Sequence, residues 1–169
     1  MALFEVCFPF VLPNEDFDPP RFEIVPDPVH GIDPNAEAIS GINSHYWPKD
    51  FARIAAIPQT ERGPAVSAFY ETNFWNSWFS ELVSNRIAAM TLDASVNQGE
   101  GWAVRFLQGA SGSVVDGLWG PKTIASANAA NLDYQVGRFV QLREARYRQV
   151  GGVSLPDWLA RAAKVPQFA

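Results

Sequence analysis

Residues 10–31, FVLPNEDFDPPRFEIVPDPVHG, hold five prolines and five carboxylates (Glu15, Asp16, Asp18, Glu23 and Asp27). Proline fixes φ and donates no backbone hydrogen, so this stretch is expected to form neither a regular helix nor a central strand. It divides the chain early. A short apolar run precedes it, and a different, helical pattern follows it. The segment from Pro13 to about Ile42 spans 30 residues. A structureless connection of that length is uncommon in a compact domain, so the segment is expected to be functional, partly structured, or both.

The flanks read as helices. Leu3, Phe4, Val6, Cys7, Phe10 and Val11 recur at helical spacing and predict a short buried helix from Leu3 to Leu12, with Pro9 kinking it or lying near its end. PKDFARIAAI (48–57) and GPAVSAFYETNFWNSWF (63–79) each open with proline in the tolerated first turn, and the second is expected to break near Trp75–Asn76. SNRIAAMTLDASVNQG predicts a helix capped by Ser84 or Asn85 and stopped by Gly99. GWAVRFLQGASG (101–112) predicts the next. In DYQVGRFVQLREARYRQVGG one stripe collects Val136, Phe139, Val140, Arg143, Tyr147 and Val150, and LPDWLARAA closes the fold with a short helix. The expected class is mainly α, a single domain of residues 1–169, with a long N-terminal loop and any small β element confined before Ile42.

Composition removes several functions. The chain has 18 acidic against 13 basic residues and a net charge of −5, which disfavours a nucleic-acid partner held by phosphate contacts. Neutral ligands such as glycans stay open. Cys7 is the single cysteine, so no disulfide forms within the chain, and it reads as a small buried hydrophobe. With only His30 and His45 besides, no metal site is expected, and both histidines read as loop residues. No cofactor is expected either. MALFEVCFPFVL lacks the basic start and small-residue cleavage site of a signal peptide, and no run approaches a membrane span in length. The expectation is synthesis in the cytoplasm, with any export by another route.

Several polar constellations stand out. Asp93 and Asn97, at i and i+4 in LDASVNQGEG, either bond along a helix edge or line a groove that holds sugar hydroxyls and amides. In VVDGLWGPKTIASAN, Asp116–Gly117 marks a turn, Gly120 an N-cap and Pro121 a first helical position, with Thr123 in the first turn. Arg143 interrupts an apolar stripe and is expected to pair with a buried carboxylate or cap a loop. Trp75, Trp78, Trp102 and Trp119 read as core residues, with Trp75 and Trp119 the candidates for stacking on sugars.

Together these pieces resemble glycoside hydrolase family 108, the bacterial and phage N-acetylmuramidases with a C-terminal peptidoglycan-binding region. FPFVLPNEDF is similar to the family's opening helix and its glutamate, PDPVHG stands at its Asp-Pro turn, and EAISGI at its Gly-Ile motif. FYETNFW, LDASVNQG, FLQGASGSVVDGLWGPKT and REARY resemble the later motifs more closely, and DWLARAAKV is a weaker echo. The resemblance implies a lysozyme-like helical domain, with a catalytic lobe over 1–80 that carries the acidic loop 13–42 and a peptidoglycan-binding lobe over 81–169. It implies hydrolysis of the β-1,4 bond between N-acetylmuramic acid and N-acetylglucosamine, with peptidoglycan strands as partner and the chain a monomer acting at the cell wall or periplasm. Glu15 matches the catalytic glutamate. Such an acid must hold its proton, which partial burial against apolar groups favours. Asp27 is the expected second carboxylate, followed by Asp16 and Asp18, and the separation of the pair predicts inversion or retention. Ser40, Tyr70, Trp75, Asp93, Asn97 and Gln98 are the expected substrate-binding residues. Asp16–Phe17 replaces two glycines of the family pattern, and Ala38, Ile39 and Ser40 replace its Thr-Asn-Tyr. The alternative is therefore a catalytically weak or inactive binding or structural protein on the same scaffold.

Overall fold

The structure is a computed structural model that describes residues 1–167. These residues form a mainly α, lysozyme-like fold with one small antiparallel sheet. The elements run α1 (Phe4–Glu15), β1 (Val25–Pro26), β2 (Glu37–Ile39), β3 (Ile42–Asn43), α2 (Pro48–Ala55), α3 (Gly63–Phe74) and α4 (Ser77–Glu81). They continue with α5 (Asn85–Gln98), α6 (Glu100–Ser111), α7 (Pro121–Ala129), α8 (Leu132–Val150) and α9 (Leu155–Ala163). No helix among the described residues is long and apolar enough to cross a membrane.

The chain divides into two compact units, residues 11–73 and residues 1–10 with 74–169. Residues 1–10 and 74–80, which the sequence reading groups with the front lobe, thus cluster with the helical unit. Local packing explains this. Trp75 stacks on buried Phe79 at 4.8 Å and meets Phe4 edge-on at 5.7 Å, while the Ala2 amide donates to the Leu82 carbonyl.

In helix α1 the structure corrects the sequence reading. The helix runs through Pro9 and Pro13 and ends at Glu15. Phe4, Cys7, Phe8 and Val11 are buried at i, i+3, i+4 and i+7. The two prolines sit one turn apart on the other side, Pro9 exposed and Pro13 half-buried. Each removes one backbone bond and costs about 3 kcal/mol in a helix interior. Burial of four apolar side chains at roughly 1.5–3 kcal/mol each offsets that.

In the front unit, β1, β2 and β3 pair in sequence order, with Val25 opposite Ala38 and Ile39 opposite Ile42. Ala38, Ile39 and Ile42 form the buried side of this sheet. In the helical unit α5 is its centre: every residue from Ile87 to Ser95 is buried. Helix α6 packs against α5, α7 and α8, and α8 packs against α9. On α8 the buried stripe begins with Gln135 and closes at Tyr147, whereas Val150, expected on it, is 52% exposed.

Candidate functional site

Glu15 is the last residue of α1, half-buried, so its carboxylate projects from the final helical turn. It meets the hairpin between β2 and β3. That hairpin has a two-residue turn, Ser40–Gly41, with φ of +47° and +74°. Positive φ at both positions is a type I′ turn, whose twist matches that of the flanking strands. A Cβ at Gly41 would lie 2.5 Å from Glu15 Oε2 and 2.9 Å from the Tyr70 hydroxyl. Glycine is therefore required twice, for the backbone angle and for the space that the Glu15 carboxylate occupies. Tyr70, buried on α3, donates its hydroxyl to the Ser40 carbonyl at 2.7 Å.

Asp16 anchors the loop that follows. Its Oδ1 accepts the amides of Phe17 and Arg21 at 2.6 and 3.2 Å, and its Oδ2 accepts the Phe22 amide at 2.9 Å and the Ser40 hydroxyl at 2.5 Å. Burial pushes the Asp16 carboxyl up, but these donors outweigh it and hold the group below its ordinary 3.8. The Phe22 carbonyl is taken by Arg62, a buried guanidinium that also donates to the carbonyls of Ile57 and Ala55. Phe22 and Ser40 are the non-glycine residues of positive φ among those described, and both bond to the same carboxylate oxygen. Strained backbone that clusters in this way is a pointer to function.

Asp27 lies elsewhere on the same sheet. Its amide donates to the Ala36 carbonyl, and Asn43 Nδ2 donates to its carbonyl oxygen at 2.9 Å and to its Oδ2 at 2.7 Å. The register puts it just past the Pro26–Glu37 pair, at the open end of β2. Opposite Ala36 and four residues from Ser40, at about 3.3 Å per residue, it stands roughly 13 Å along the strand from the Ser40–Gly41 turn. Asp27 is exposed. Asp18 is exposed as well, His30 is exposed, and His45 Nδ1 faces Asp33 Oδ2 at 3.3 Å in the same loop region.

Several of the expected sugar-binding residues are buried or bonded within the protein. Ser40 and Tyr70 are 4% and 2% exposed and spend their hydroxyls on the turn. Asp93 is fully buried, so it cannot line a groove. Its Oδ2 pairs with Arg143 at 2.6 Å and its Oδ1 with Arg161 at 2.8 Å, joining α5 to α8 and α9. Burial pushes this carboxyl up, and the two guanidinium charges more than reverse that and lower it. The pairing of Arg143 with a buried carboxylate is the one expected from its place on the stripe. Trp75 donates to Ser80 Oγ and Trp119 to Glu100 Oε1, and both rings pack on Phe79, which makes them parts of the core margin. Asn97 and Gln98 differ: they reach the surface at the end of α5.

The Asp116–Gly117 turn is organised by Gln108, a residue the sequence reading does not single out. Its Oε1 accepts the amides of Asp116 and Gly117, and its Nε2 donates to Asp116 Oδ1, the Leu118 carbonyl and Thr123 Oγ1. A glutamine between Leu107 and Ala110 on an apolar helix face is the signal that finds it. Among the described residues there is no cluster of three or more metal-ligating side chains.

No protein-family model and no curated protein sequence matches the chain. Among solved structures, that of Brucella abortus SagA is similar, with a TM-score of 0.68 and 24% identity over 95% of this chain and 89% of that one. The likeness is one of fold.

Proposed function

We propose that this protein is a peptidoglycan hydrolase that cleaves the β-1,4 bond between N-acetylmuramic acid and N-acetylglucosamine, with Glu15 as general acid. The observation that carries the reading is the seating of Glu15 at the end of α1 against a glycine whose replacement would displace it. A general acid must be held within hydrogen-bond reach of the leaving oxygen, and this turn holds it. The motif likeness to glycoside hydrolase family 108 supplies the substrate.

The division of labour among the other groups follows from their bonds. Asp16 already accepts four hydrogen bonds and stays ionised, which suits it to fixing the loop and stabilising positive charge nearby. Asp27 is exposed, at the far end of β2, and acts as the base that activates water. The separation of the two carboxyl groups decides the outcome, about 6.5–9.5 Å for inversion and about 5–5.5 Å for retention. Ser40 and Tyr70 position the turn, while Asn97 and Gln98 belong to substrate contacts in the helical unit. The protein acts as a monomer at the cell wall or periplasm.

The test is release of reducing ends from purified peptidoglycan between pH 4 and 8 by the parent protein and by Glu15→Gln, with sedimentation on insoluble wall as a second readout. Release by the parent and none by Glu15→Gln supports the reading. If neither releases ends while both sediment, the protein is a wall binder and the hydrolase reading fails.

A further inference from the structure

A cavity of about 220 Å³ lies wholly within the helical unit, lined by Asn97 and Gln98 from the end of α5, Trp102 of α6, Arg146 and Tyr147 of α8, and Trp158 of α9. Exposed Val150 completes one wall, which gives the outlying end of the α8 stripe a place.

The two amides are oriented from behind. The Tyr147 hydroxyl donates to Asn97 Oδ1, and Arg143 Nε donates to Gln98 Oε1 at 3.1 Å. One donor on each carbonyl oxygen fixes the orientation of each amide and turns its NH₂ group toward the cavity. No acceptor among the described residues takes either NH₂. Arg146 lies over the Trp102 ring at 4.3 Å, and no carboxylate among the described residues pairs with it. Stacking uses the face of a guanidinium and leaves its N–H edge open to a planar acceptor. Glu144, its neighbour on α8, is engaged with Arg148. Behind the cavity, Arg143 and Arg161 share the single carboxylate of Asp93.

The open donors of this cavity are two amide NH₂ groups and a guanidinium, with Trp102 and Trp158 also in the lining. The charged group among them is the Arg146 guanidinium, which bonds an anionic acceptor more strongly than a neutral hydroxyl. A carboxylate only accepts. The volume is that of about seven waters, enough for one amino-acid residue and little more.

We infer that this cavity is a carboxylate site, which binds the C-terminal residue of a short peptide with its carboxylate on Arg146 and the amides of Asn97 and Gln98, and its side chain between the indoles. The site includes Asn97 and Gln98, proposed above as substrate contacts, and deepens that reading; binding here needs no chemistry at Glu15, so Glu15→Gln leaves it intact and the two readings fail separately.

The experiment titrates the full chain with N-acetyl-alanyl-alanine, in D,D and L,L forms, and with the corresponding C-terminal carboxamides. Tryptophan fluorescence and calorimetry report binding. The expected result is saturable binding of the acid in at least one configuration, at least tenfold tighter than its amide. Arg146→Gln removes that preference, whereas Arg138→Gln, an exposed site on the same helix, keeps it. Melting temperatures of both variants confirm that they fold. Equal binding of acid and amide, no saturation by 50 mM, or an unchanged preference in folded Arg146→Gln overturns the assignment.

Discussion

The Ser40 hydroxyl donates to Asp16 Oδ2 at 2.5 Å, across 24 residues of sequence, and the same oxygen accepts the Phe22 amide. One carboxylate oxygen therefore fixes both ends of the segment that separates α1 from the hairpin.

Asp16→Asn exchanges one acceptor oxygen for a donor and leaves at least one of these groups unsatisfied. The expected loss is about 1–3 kcal/mol in urea denaturation. Because the native carboxyl titrates below 3.8, its contribution is complete above that pH and fades as pH falls through the lower, native value. The stability curves of parent and variant should converge in strong acid.

Gly41→Ala places a methyl group against Glu15 Oε2 at a backbone angle that disfavours it. We expect about 1–2 kcal/mol of destabilisation from the positive φ alone. Reducing-end release should fall by more than tenfold at a temperature where the variant is still folded. Thermal melts beside the activity assay separate the two effects.

Asp93→Ala leaves Arg143 and Arg161 without their shared carboxylate in the interior. Breaking a buried pair from one side costs about 3–5 kcal/mol, which should be evident as a large drop in denaturation midpoint. In the parent, the folded carboxyl is depressed, so the stabilisation is intact above 3.8 and is lost as pH drops through the depressed value. Acid unfolding of the helical unit should therefore begin only below that pH.

Gln108→Leu keeps the volume and removes the bonds that hold the Asp116–Gly117 turn. The Asp116 and Gly117 amides should exchange with solvent much faster than in the parent. Stability should fall by about 1–3 kcal/mol, because Thr123 and the turn amides lose their partner.

Much of this architecture is legible in the sequence because it rests on local rules. The break near Trp75–Asn76 appears as the gap between α3 and α4, where the Asn76 side chain accepts the Trp78 amide as an N-cap. Gly99 and Gly112 end helices as their backbone freedom suggests. Arg143 announces its partner by lying on an apolar stripe. What stays hidden depends on tertiary packing. Helical spacing puts Asp93 and Asn97 on one face of α5, but α5 is buried on every side over residues 87–95, so the same face holds a sealed ion pair at one turn and a surface amide at the next. Pro9 and Pro13 look like helix breakers because propensity is counted residue by residue, whereas the buried stripe acts on the helix as a whole. The Asp16–Ser40 bond leaves no periodic trace. The dipeptide Ser40–Gly41 marks a turn and says nothing of what the serine reaches.

The same dipeptide sets turn propensity against a tertiary bond. Turn statistics favour asparagine or glycine at the first position of a type I′ hairpin, so a stabilisation programme guided by consensus would replace Ser40 early. Either replacement removes the hydroxyl that ties the turn to Asp16. The gain in turn propensity is then set against a lost tertiary bond, and a substitution that turn statistics recommend should loosen the seat of Glu15.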